Sequence, residues 1–242
     1  MKRDYHRWFS PYLERDMELL VFGHAGAKVL VFPTRDGRFF EYENLGMVRA
    51  LEDKIDQGHI QLFCVDSIDH DSLYCFWKQP ADRIRRHIQF EDYVLNEVLP
   101  FMDSLNRHPC RISHGCSLGA FHAVNIAFRH PHLFQKVCAF SGRYDLTLSV
   151  EVFRDLFDGF YDENVYFHNP SHFLPSLQCE ESLGDLRAMD IILTIGRDDP
   201  FLDNNVQMSR AMDEKGIRHA LHVWDGRAHR ASAWRKMAPL YI

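Results

Sequence analysis

The sequence predicts an α/β fold, one mostly parallel sheet with helices on both faces. Three observations carry this. Short apolar runs of strand length alternate with segments of helical periodicity along the chain, as expected of strands joined by crossover helices. At 242 residues, and with about 150 residues per domain, the chain holds one or two domains, and one domain of this length is ordinary for such folds. Hydrophobic residues are 46% and charged residues 26%. Those are globular values, and they exclude a disordered, collagen-like or coiled-coil chain.

Taken in order, residues 19–22 and 28–32 read as strands separated by the turn Gly23-His24-Ala25-Gly26. Residues 43–56 carry Leu45, Met47, Val48, Leu51 and Ile55 at helical spacing. Residues 60–65 read as a buried strand. Residues 81–105 form one long helical pattern or two abutting helices, with Ile84, Ile88, Tyr93, Val94, Val98 and Leu99 as core candidates. A strand at 111–116 leads into a helix at 118–129, closed by His130-Pro131, and a strand follows at 136–140. The stretch 142–187 is irregular and rich in aromatics, including Phe153, Phe157 and Phe173. Regular structure resumes with a strand at 190–195, a helix at 204–215, a strand at 218–224 and a terminal helix at 231–240. Crossovers between parallel strands are right-handed, and ligands bind at the carboxyl ends of such strands. The whole chain, 1–242, is read as one domain. The segment 142–187 is either a pocket wall or small cap, or ordinary core.

The net charge of −6 lacks the basic surplus of a nucleic-acid binder. The densest basic cluster, Arg83, Arg85, Arg86 and His87, reads as a solvated helix face. Six cysteines form no C-x-x-C pair. Cys64, Cys110, Cys116 and Cys138 sit in strand-like contexts and fit buried free thiols of a reducing compartment. The first residues lack the apolar core of a signal peptide, and no run approaches the length of a membrane span. A cytoplasmic protein is expected. Fifteen histidines include no metal-binding spacing such as H-E-x-x-H, so neither a metal nor a cofactor is expected.

The strongest signal is Gly115-Cys116-Ser117-Leu118-Gly119. It fits G-x-S-x-G between a strand and a helix, the context of a nucleophile elbow. Ser117 is the candidate nucleophile. A serine hydroxyl needs a base, and the partners in this arrangement follow in the order acid, then histidine. Asp198 and Asp199 both follow the strand at 190–195, and position alone leaves both open. His229 follows the last strand and precedes a helix, so it is the candidate base. His219 and His222 lie within that strand and read as packing or surface residues.

These residues resemble the putative-esterase branch of the α/β-hydrolases, which includes S-formylglutathione hydrolase (esterase D). The resemblance runs through Phe32-Pro33-Thr34-Arg35-Asp36-Gly37-Arg38-Phe39, His114-Gly115-Cys116-Ser117-Leu118-Gly119-Ala120 and Ser141-Gly142-Arg143-Tyr144-Asp145. It implies the α/β-hydrolase fold. Gly196, Asp199, Phe201 and Leu202 fill places that the family often shows, which favours Asp199 as the acid. Relatives often follow the histidine with Asp-Trp, where this chain has Arg230 and Ala231. Of the two oxyanion-hole donors, one is expected to be the amide of Leu118. The other is expected from the loop after the strand at 28–32, with Gly37 and Arg38 as candidates. The Arg38 side chain has a second reading, as a binder of an acidic substrate group.

The function expected is a serine carboxylesterase acting on small acyl esters through Ser117, His229 and Asp199 and an acyl-enzyme. Its partner is a small-molecule ester, with no nucleic acid and no membrane. An acyltransferase with the same residues and a non-catalytic binding protein on the same fold are the alternatives.

Overall fold

The computed structural model describes residues 1–242. Eight strands, β1 (Arg3–Ser10), β2 (Arg15–Phe22), β3 (Ala27–Phe32), β4 (Ile60–Val65), β5 (Arg111–Cys116), β6 (Lys136–Phe140), β7 (Asp190–Gly196) and β8 (Ala220–Trp224), form one sheet. Its order is β1-β2-β4-β3-β5-β6-β7-β8. The pairings of β1 with β2 and of β2 with β4 are antiparallel, and all others are parallel. This is the α/β architecture that the alternating apolar runs predict.

Each central strand is buried on both faces, so its side chains alternate between two cores. Leu30 and Phe32 of β3, with Phe63 and Val65 of β4, face one core. Val29 and Val31, with Leu62 and Cys64, face the other. The first core is covered by α4 (Pro80–Tyr93), α5 (Leu99–Leu105), α6 (Leu118–Arg129) and helices further along the chain. The second is covered by three single turns, α1 (Glu41–Asn44), α2 (Met47–Ala50) and α3 (Glu52–Asp56), together with α11 (Ala231–Tyr241).

Several elements differ from the sequence reading. The helix expected over 43–56 is broken, because Gly46 adopts a left-handed φ of 73° between α1 and α2. Of the two readings of 81–105, the structure shows the pair of abutting helices, joined through a π turn at Val94–Val98. Pro100 lies in the first turn of α5. Its ring removes a donor and crowds the preceding turn, which accounts for the wider turn there. The stretch 142–187 contains α7 (Glu163–Phe167), α8 (Pro170–Ser176) and α9 (Glu180–Ala188). α10 (Leu202–Glu214) then follows β7.

Strand β1 was not foreseen. Its outer face carries Arg3, Tyr5 and Arg7, each bonded to an acidic partner (Glu43, Glu18 and Asp16). Such a strand has no apolar run to betray it. The basic cluster is also corrected. Arg85 is exposed, but Arg83 and His87 are buried. Arg83 donates to Asp158 at 2.5 Å and lies over the Phe76 ring. Of the cysteines expected inside, Cys64, Cys116 and Cys138 are buried and Cys110 is half-buried, and all six are free thiols. No helix is long and apolar enough to cross a membrane.

Candidate active site

The turn from β5 into α6 is built around two glycines. A Cβ on Gly115 would lie 2.2 Å from the Gly119 backbone, and one on Gly119 would lie 2.4 Å from the Phe32 carbonyl oxygen and 2.5 Å from that of Pro33. Both positions therefore need hydrogen in place of a side chain. Between them Ser117 is held at φ 57° and ψ −121°, a conformation costly for a residue with a side chain. Its amide donates to the Phe140 carbonyl at 2.8 Å. The strain turns the hydroxyl out of the sheet at the carboxyl ends of the strands.

The histidine arrives on the loop after β8. A Cβ on Gly196 would lie 2.0 Å from the Arg227 carbonyl oxygen, so glycine at the end of β7 lets that loop cross closely. His229 Nε2 lies 2.8 Å from Ser117 Oγ, and its Nδ1 lies 2.8 Å from Asp199 Oδ2. The Phe201 amide donates to the other Asp199 oxygen at 3.0 Å. Asp199 is buried whereas Asp198 is exposed, which separates the two carboxylates that position alone left open. In the neutral tautomer whose Nδ1–H donates to the carboxylate, Nε2 is the acceptor for the serine hydroxyl. His219 bonds Ser209 Oγ and His222 stacks on Tyr241, both away from this chain of groups.

Leu118 opens α6, so its amide has no intrahelical partner. The second expected donor needs correction. Neither Gly37 nor Arg38 lines the cavity beside Ser117, whereas Thr34 and Arg35 do. The Gly37 amide is spent on the Thr34 carbonyl at 2.9 Å. The Arg38 guanidinium is not free for an acidic ligand, because it pairs with Asp66 at 2.8 Å and with Glu18. It anchors the far end of the loop to the end of β4 and the middle of β2.

The cavity holds about 300 Å³ and opens over Ser117 and His229, with Tyr74, Phe153, Phe201 and Trp234 among its walls. Phe153 packs on Phe201 at 4.8 Å. Trp234 lies 5.7 Å from the His229 ring and donates its indole N–H to Ser141 Oγ at 3.0 Å. The buried Arg143 donates to the carbonyls of Asp145, Leu146, Leu148 and Arg154, which holds the loop carrying Phe153. Burial pushes its pKa down. The stretch 142–187 thus supplies both a wall, through Phe153, and core, through Phe157 and Phe173. Phe153 belongs to the stretch that the sequence reads as either pocket wall or core, whereas Tyr74 and Trp234 are not singled out by it. Their apolar rings carry no local signal that separates wall from core. A larger groove of about 770 Å³ is lined almost wholly by charged residues, including Arg7, Asp16, Asp71 and Arg86. Those charges pair with one another.

A serine, a histidine and a carboxylate in hydrogen-bonded sequence, above an elbow in this sheet, define the α/β-hydrolase class. The chain belongs to the family described as "Putative esterase", which matches residues 10–237, and it is a carboxylic ester hydrolase. No curated protein matches the sequence. Among solved structures the chain is similar to a ferulic acid esterase, at 19% identity and a TM-score of 0.76, covering 98% of this chain and 94% of that one. It is also similar to the S-formylglutathione hydrolases of Staphylococcus aureus and Agrobacterium tumefaciens. The first has 13% identity and a TM-score of 0.70 over 98% and 94% of the chains. The second has 15% and 0.71 over 98% and 91%. At these identities the likeness is one of fold.

Proposed function

We propose that the protein hydrolyses esters of small acyl groups by covalent catalysis at Ser117. The observation that carries this is the unbroken chain from Ser117 Oγ through His229 to Asp199, with both links at 2.8 Å. Ser117 attacks the ester carbonyl while His229 Nε2 takes its proton. Asp199 holds the imidazole in the required tautomer and stabilises the imidazolium. His229 then protonates the departing alkoxide. Water, deprotonated by His229, attacks the acyl-enzyme and releases the acid.

The negative oxygen of each tetrahedral intermediate receives the amides of Leu118 and, in this reading, Arg35. The Arg35 N–H shares a trans peptide plane with the Thr34 carbonyl. That carbonyl accepts from Gly37, so the N–H points the opposite way, and it makes no hydrogen bond within the protein. The aromatic walls and the size of the cavity favour short or single-ring acyl groups over long fatty chains. The likeness to a ferulic acid esterase accords with an aromatic acyl group. Six free cysteines accord with work in a reducing compartment.

The experiment is turnover of a short p-nitrophenyl ester together with labelling by a fluorophosphonate. Ser117→Ala is expected to abolish both while far-UV circular dichroism stays native. Retained turnover in that variant would remove Ser117 as the nucleophile.

A further inference from the structure

We propose that Glu41 and Asp69 are positioning residues for the oxyanion hole. They grip the backbone amides on either side of Arg35 and leave the Arg35 amide unpaired on a residue that lines the cavity. This rests on the reading of Ser117 as nucleophile.

Residues 34–37 form no regular structure, so nothing in a helix or strand ladder orients their amides. Long-range acceptors do it instead. The Thr34 amide donates to Glu41 Oε2 at 2.7 Å and its hydroxyl to Glu41 Oε1 at 2.7 Å. The Asp36 amide donates to Asp69 Oδ2 at 3.0 Å. Asp36 is held there at φ 56°, a left-handed conformation that a non-glycine residue adopts at a cost. The Gly37 amide goes to the Thr34 carbonyl, and the Gly37 carbonyl accepts from Ser67 Oγ at 2.7 Å. Of the four amides at 34–37, only that of Arg35 has no partner within the protein; the Arg38 amide has none either, but Arg38 does not line the cavity.

Asp69 also ties the loop to the nucleophile helix. Its other oxygen, Oδ1, lies 3.2 Å from His122 Nε2, and His122 sits on α6 five residues after Ser117. One buried carboxylate thus fixes the loop bearing one donor against the helix bearing the other. Its backbone carbonyl accepts from the Tyr74 amide at 2.8 Å, and the Tyr74 ring lies 5.1 Å beneath the Arg35 guanidinium. Oxyanion donors stabilise a transition state only when they are already aimed at the position the oxygen will occupy. Ionised acceptors bind amides more strongly than neutral ones. Removing either acceptor strands an amide next to Arg35 and releases the peptide plane that aims the Arg35 N–H.

The test compares Glu41→Leu, Glu41→Gln, Asp69→Leu and Asp69→Asn with the wild-type protein. The kcat and KM for a p-nitrophenyl ester are normalised to Ser117 sites titrated with a fluorophosphonate. Affinity is also measured for a trifluoromethyl ketone, whose tetrahedral adduct places an oxyanion in the hole. The leucine variants should lose about 10- to 100-fold in kcat per titrated site, with KM within about twofold. Ketone affinity should weaken in proportion. Glutamine and asparagine keep an oxygen acceptor, and they should recover most of the loss. An unchanged kcat per site, or a fall in kcat with no change in ketone affinity, would overturn the proposal. If Asp69→Leu does not fold, Glu41→Leu alone decides by the same two readouts. Activity that survives Ser117→Ala would instead overturn the reading of the site, whatever the positioning variants do.

Discussion

Gly119→Ala tests how closely the loop after β3 is held against the start of α6. The added Cβ would sit 2.4 Å from the Phe32 carbonyl oxygen and 2.5 Å from that of Pro33. Ordinary contact begins near 3.4 Å, so the two segments must part by roughly 1 Å. Both obstacles are backbone, so no side chain can swing aside. The strand and helix that meet here are buried, and overpacking of this kind costs about 1–3 kcal/mol. For a chain of this length that lowers Tm by about 2–4 °C per kcal/mol. Activity should suffer more than stability. Thr34 and Arg35 follow Pro33 directly, and the Leu118 amide precedes Gly119, so the displacement acts on the gap between the two proposed oxyanion donors. A misplacement of about 1 Å costs on the order of 100-fold in rate. The assay is kcat for a p-nitrophenyl ester beside a thermal unfolding curve. Gly184→Ala is the matched control. Gly184 lies inside α9, and its Cβ would meet nothing within 4 Å, so alanine should stabilise by about 0.5–1 kcal/mol and leave kcat unaltered. A Gly119→Ala protein with kcat within threefold of wild type would refute the claim that this contact sets the donor geometry.

Two further expectations follow from the site and the core. Asp199→Asn should lower kcat by about 10⁴, the scale of the equivalent change in a serine protease, because an amide facing Nδ1 selects the wrong histidine tautomer; the exposed Asp198→Asn should stay near wild type, and the reverse ranking in steady-state kinetics would exchange their roles. Burial holds both His114 and His168 at a pKa of about 4, below the ordinary 6.5. The unfolded chain therefore binds more protons between those values, and the stability these residues contribute is complete above pH 6.5 and lost as pH falls towards 4. Each contributes about 1.4 kcal/mol per pH unit at the acid end of that window. Urea unfolding at pH 7, 6 and 5 should show the slope, and His114→Gln should flatten it; a variant with the wild-type slope would remove His114 as a source.

Much of the site is legible in the chain because its parts answer to local rules. Gly115 and Gly119 flank Ser117 since no side chain fits the turn, and that need is written into five consecutive residues. His229 and Asp199 sit directly after strands, where a parallel sheet presents its loops. Strands β3 to β7 were visible because burial on both faces demands unbroken apolar runs. β1 was not, because its outer face meets charged partners. Arg83 and His87 read as solvated for the matching reason, since their burial depends on contacts from segments distant in sequence, including Asp158 on the loop after β6.

The sequence by itself determined the class of sheet, the strand–serine–helix turn and the order along the chain of the three candidate residues. The tertiary structure decided which of two adjacent aspartates faces the histidine, burying Asp199 and exposing Asp198. It also decided which residue of the loop after β3 brings an unpaired amide to the wall of the cavity. The sequence pointed to Gly37 and Arg38, yet the Gly37 amide is consumed by a local turn, and Arg38, whose guanidinium is drawn to Asp66 and Glu18, does not line the cavity. The physical reason is the same in both cases. A residue confined by its own neighbours has its conformation set within a few positions of chain, whereas an amide or carboxylate in a loop is oriented by whichever distant partner the fold brings within about 3 Å.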